Sequence, residues 1–195
     1  MDKQPVFAIS PKYTTLDFPN FPNEMTLENK IDVFADRIIG WQIGIAKEII
    51  QHEIKHSDFA LLQIVFSYFE MIGKYLSGYV GDHGSSFYFK KGVKATFSEI
   101  GPEEEIFLNT LYKSVRNGLY HIGLTKTNVI LKCDIPGSIG FNSENNILII
   151  CAAHLVEDLY IRFHDYVSEL RNPKNIELRK NFESRFYYDN SGPNL

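Results

Sequence analysis

The chain has 195 residues, 44% hydrophobic and 23% charged, the balance of one globular domain with a real core. A net charge of −4 and a pI near 5.9 argue against a protein that coats nucleic acid non-specifically, but leave room for a local phosphate site. Two cysteines in no zinc pattern, no apolar run of the roughly 18 residues a membrane span needs, and a start without a charged-then-apolar leader predict a cytoplasmic chain with reduced thiols, no membrane contact and no cofactor.

Residues 1–25 carry Pro5, Pro11, Pro19 and Pro22 among aromatics, so they are expected as an extended arm anchored by Phe7, Tyr13, Phe18 and Phe21. Residues 26–171 read as the helical domain. Thr26 suits the N-cap of a long helix to about Lys55, with Ile31, Phe34, Ile38, Trp41 and Ile45 at alternating steps of three and four. Ser57-Asp58 offers a new cap. Phe59 to about Tyr79 is apolar nearly all round, which predicts a central, buried helix. Gly78, Gly81 and Gly84 close it. Asp82–Lys94 then reads as a loop, with Phe87-Tyr88-Phe89 a short strand.

Pro102 followed by Glu103, Glu104 and Glu105 is a helix start, since proline fits the first turn and acids fit the positive end of the dipole. That helix carries Ile106, Leu108, Leu111, Tyr112, Val115 and Leu119 and ends before Gly123. Residues 128–133 and 146–151 read as two strands of a small hairpin inserted at about 128–151. A further helix spans Ala152 to about Arg171, and Asn172-Pro173 breaks it. Residues 172–195 are expected as a short charged helix through Leu178 and Phe182, then a polar tail.

Arg116-Asn117-Gly118-Leu119-Tyr120-His121 gathers a permanent cation, an amide and an imidazole within one and a half helical turns. Asn117 and His121, four apart, share a helix face, and the long Arg116 side chain can reach the same spot. Such a set can hold a phosphate: arginine offers a fork of donors, asparagine orients, and histidine moves a proton near neutral pH. Glu70 interrupts the apolar central helix. It reads as an ion pair with Lys74, or as an acid that orients Arg116 or His121 from the neighbouring helix. The same hexapeptide also reads as an ordinary helix end, with Arg116 solvated, Asn117 capping a carbonyl and His121 meeting the helix terminus.

The Arg-x(4)-His spacing with a polar residue after the arginine resembles the motif of the HEPN superfamily, and the likeness covers roughly residues 26–171. The resemblance implies an up-and-down helical bundle, mainly α, here with a small inserted β-hairpin. It implies an RNA- or nucleotide-binding protein, with metal-independent endoribonuclease activity of toxin or defence type. Arg116 and His121 would be catalytic, and Asn117 and Glu70 would serve the substrate. It implies a homodimer whose two motifs face one cleft, and an antitoxin or other protein partner. The alternative is a non-catalytic helical interaction module. A third reading is a zinc hydrolase, because His52-Glu53-Ile54-Lys55-His56 matches the His-Glu-x-x-His pattern, which needs both histidines on one helix face.

Overall fold

The computed structural model describes residues 5–97 and 100–191; the first four residues of the arm and the last four of the tail lie outside them. The described residues are mainly helical, with one small three-stranded sheet.

Thr26 caps α1 (Leu27–Ile38), its hydroxyl accepting from the Asn29 amide at 3.2 Å. The rod continues through a π-helical turn at Ile39–Ile43 into α2 (Gly44–Gln51). There it stops, four residues short of the expected end. Ile54 N–H bonds back to Ile49 and Glu53 N–H to Ile50, with Glu53 at φ 49°, a Schellman cap closed by a non-glycine residue. The arm folds back onto the rod. Asp36 accepts from the Ser10 hydroxyl at 2.6 Å, and Arg37 Nε donates to the Ile9 carbonyl at 2.6 Å. Gly40 leaves room for Pro11, whose ring a Cβ would meet at 2.4 Å. Tyr13, Phe18 and Phe21 pack on the core, as expected of anchors, but Phe7 is exposed and Ile9 is buried in its place.

Helix α3 (Asp58–Tyr75) is the central rod, burying Leu61, Leu62, Val65, Phe66, Tyr68, Phe69 and Ile72. The segment expected as a loop and short strand is instead a helix, α4 (Ser85–Thr96). Phe89, Gly92, Val93 and Thr96 repeat at helical spacing and form its buried face. Two glycines let α4 lie backbone-to-backbone on α3. A Cβ on Gly92 would stand 1.9 Å from the Phe69 carbonyl, and one on Gly73 1.9 Å from that of Tyr88.

Helix α5 (Glu104–Thr110) passes through a second π-helical turn, Leu111–Arg116, into α6 (Asn117–Ile122), which Gly123 ends at φ 75°. The sheet differs from the expected hairpin. Strand β1 (Val129–Leu131) runs parallel to β3 (Ile147–Ile150), and β2 (Ile139–Asn142) pairs antiparallel to β3 on its other edge. The four-residue turn 143–146 makes β2 and β3 the hairpin, and β1 reaches β3 by a crossover. Cys133 and Cys151 are joined in a disulfide across this crossover, where free thiols were expected.

Helix α7 (Ala152–Arg171) matches its expected bounds, and α8 (Ile176–Asn190) is longer than the short helix expected. Phe182 and Phe186 bury their rings, and Phe182 meets Phe34 at 5.3 Å and Tyr75 at 5.6 Å. No helix among the described residues is long and apolar enough to cross a membrane.

Candidate functional site

The second π turn delivers Arg116 to a three-helix junction. Its Nη2 donates to Glu70 Oε2 on α3 at 2.8 Å and to Ser85 Oγ at the start of α4 at 2.8 Å. Ser85 in turn donates to Glu70, and Lys74 Nζ stands 3.1 Å from Glu70 Oε1. Two tyrosines flank the guanidinium, Tyr120 with its ring centre 4.4 Å from Cζ and Tyr112 at 5.5 Å. Arg116 Nη1 makes a long contact of 3.4 Å with Asn117 Oδ1, and its buried Nε finds no partner among the described residues.

The electrostatics follow from these contacts. Burial pushes the Glu70 carboxyl up. The hydrogen bonds from Ser85, Lys74 and Arg116, with the Lys74 charge, outweigh it and hold the carboxyl below its ordinary value. Glu70 is therefore an anion in the fold. Two cations, Arg116 and Lys74, surround this one carboxylate, leaving a surplus of one positive charge. The cluster opens into a cleft of about 370 Å³, with Ser67, Met71 and Tyr120 on its wall and Arg185 and Asp189 of α8 across from them. Arg185 and Asp189 pair with each other at 2.5 Å and so leave the surplus unchanged.

Of the residues singled out in the sequence, Arg116 and Glu70 are brought into direct contact, and Asn117 sits at the edge of the cluster. His121 is four residues on, in the last turn of α6. It is exposed and does not line the cleft. Around it Tyr120, Ile122 and Leu124 are also exposed, at 47%, 68% and 55%. One copy of the chain thus holds its arginine fixed at the end of the π turn and its histidine open in the last turn of the short helix that follows.

Ser85 was not legible as a member of the site, because its segment was read as a loop. Tyr112 and Tyr120 carried a signal that could have been used. They lie four residues either side of Arg116, where helical neighbours meet. The lysines of α4 are engaged: Lys90 with Glu105 and Asn109, Lys91 with Ser77, and Lys94 with Glu104.

The His-Glu-x-x-His string does not sit on a helix. His52 is the C-cap of α2, and Glu53 and His56 have φ of 49° and 62°. That turn removes the one-turn spacing by which two histidines share a metal. Among the described residues, no group of three or more histidine, cysteine or acidic side chains is gathered closely enough to hold a metal ion. No family model matches the chain, and neither a curated protein nor a solved structure does.

Proposed function

We propose that this chain is a HEPN-like RNA-binding protein that cleaves RNA without metal as a homodimer, with Arg116, Asn117 and His121 at the phosphate. The observation that carries the reading is the surplus cation at the Glu70–Arg116–Lys74 cluster, five residues along the rod from an exposed imidazole on α6. Glu70 and Ser85 are positioning residues: they fix the guanidinium so that a phosphate meets a preset cation. His121 would take the 2′-hydroxyl proton or return one to the leaving 5′-oxygen. The 2′-oxygen then bonds to phosphorus as the P–O5′ bond breaks, giving a 2′,3′-cyclic phosphate and a 5′-hydroxyl. One arginine and one histidine are a sparse set. A second copy docked on Tyr120, Ile122 and Leu124 would bring a second pair to the same strand.

The experiment is incubation of mixed single-stranded RNA with the protein in EDTA, beside His121→Ala. The reading expects cleavage by the natural chain and a loss of about a hundredfold or more in the variant. Equal cleavage by both, or none by either, overturns it. The rival reading, a non-catalytic interaction module, draws on the same junction, because Arg116 Nη2 is spent on Glu70 and Ser85. It predicts that His121→Ala changes nothing on RNA.

A further inference from the structure

The geometry points to a second anion site, a phosphate-binding cleft on the other flank of the same helical rod, between the second π turn and the sheet. It goes beyond the His121 reading and does not depend on it.

The cleft has a volume of about 560 Å³ and is walled by polar groups from three segments: Lys113, Lys126 and Asn128, and the β2–β3 turn with Ser143, Asn145 and Asn146. A glycine builds it. A Cβ on Gly118 would stand 2.5 Å from the Leu124 carbonyl, so only a bare backbone lets residues 124–126 lie back along α6. The Lys126 N–H then bonds to the Ser114 carbonyl at 2.9 Å, which sets Lys126 beside Lys113. The opposite wall is equally fixed. Thr110 donates to Asn146 Oδ1 at 2.6 Å, and Asn128 Nδ2 donates to the Asn146 carbonyl at 2.8 Å. With its oxygen taken, Asn146 leaves its amide N–H groups for a ligand.

The charge is uncompensated. Lys113 and Lys126 have no carboxylate within salt-bridge distance among the described residues, and unlike Lys55, Lys91, Lys174 and Lys180, which also have none, they line one cleft together. No carboxylate among the described residues lines the cleft. Glu105 contacts Asn109 at the margin, but Lys90 neutralises it at 2.9 Å. An anion in the cleft would meet the ammonium groups of both lysines. Ammonium donors for charge, with amides and hydroxyls beside them, fit a phosphate attached to a hydrogen-bonding group such as a nucleoside. The ligand class is therefore a phosphomonoester, or a phosphodiester within an RNA strand.

The test titrates the full chain by isothermal calorimetry with AMP, adenosine and a pentanucleotide RNA, beside the double variant Lys113→Ala, Lys126→Ala. Both lysines are exposed, so their removal leaves the core untouched. AMP is expected to bind the natural chain at least about tenfold more tightly than either adenosine binds it or the lysine variant binds AMP. A pentanucleotide that loses affinity in the lysine variant assigns the phosphate to a strand; one that binds both chains alike, while AMP binding falls, assigns it to a free nucleotide. Adenosine binding as well as AMP, an unchanged lysine variant, or no saturable binding of AMP or the pentanucleotide each overturns the site.

Discussion

Glu70→Gln removes the one carboxylate between Arg116 and Lys74 while keeping the side chain's volume. In the fold those three side chains are 18%, 15% and 12% exposed, so two cations would be left mostly out of water with only a neutral amide between them. Losing one partner of a fully buried ion pair costs about 3–5 kcal/mol, and an open cleft lowers that to about 2 kcal/mol. For a chain of this length, about 2 kcal/mol lowers Tm by about 4–8 °C. The assay is thermal unfolding followed by circular dichroism from pH 7 down to pH 3. The folded carboxyl titrates below its ordinary value, so its contribution is complete at pH 7 and is lost as pH falls through the lowered value. The gap between natural chain and variant should therefore close below about pH 4. Adding Arg116→Met removes a now unpaired cation, so the double variant should lose less than the two single losses summed. A Glu70→Gln Tm within about 1 °C of the natural chain at pH 7, or strictly additive losses, would refute the cluster as described.

Gly92→Ala places a methyl 1.9 Å from the Phe69 carbonyl, which neither helix can yield cheaply. A loss of at least about 2 kcal/mol is expected in denaturant unfolding, and a loss under about 0.5 kcal/mol would contradict the close α3–α4 contact. Thr26→Ala removes the cap that receives the Asn29 N–H. It should cost about 1 kcal/mol, read as a Tm drop of about 2–4 °C, and Thr26→Ser should recover most of it. Ile122→Glu puts a charge on the exposed apolar rim beside His121. Analytical ultracentrifugation should find the natural chain dimeric and this variant monomeric; a monomeric natural chain, or a variant that stays dimeric, removes the shared-cleft arrangement.

Periodicity made the long rods legible. Ile31, Phe34 and Ile38 fall on one stripe with Thr26 at its head, and Ala152–Arg171 was bounded by Asn172-Pro173. Three features escaped it, each for a physical reason. In α4, Gly92 carries no side chain and so adds nothing to the hydrophobic stripe, while its function is to admit another backbone. At β2, Gly140 weakens the strand pattern of Ile139–Asn142, so this edge strand is not legible and the parallel partners β1 and β3 read as a hairpin. At His52, helix periodicity continues in the sequence, but a Schellman turn ends the helix through Glu53, a residue not favoured at positive φ. The candidate site was half legible. Arg116 and the interrupting Glu70 stood out by charge, and their contact links the second π turn to α3. Ser85, Lys113 and Lys126 depend on where helices and turns meet, which local spacing does not encode.

The proposed site acts on phosphodiesters without metal and uses the RNA's own 2′-hydroxyl. The most direct measurement compares one RNA with its fully 2′-O-methylated counterpart, both incubated with the protein in EDTA and their products resolved by mass spectrometry. Cleavage of the unmodified strand alone, with 2′,3′-cyclic phosphate ends that disappear in His121→Ala, is the predicted result. An intact RNA, or equal cleavage of both strands, would contradict it.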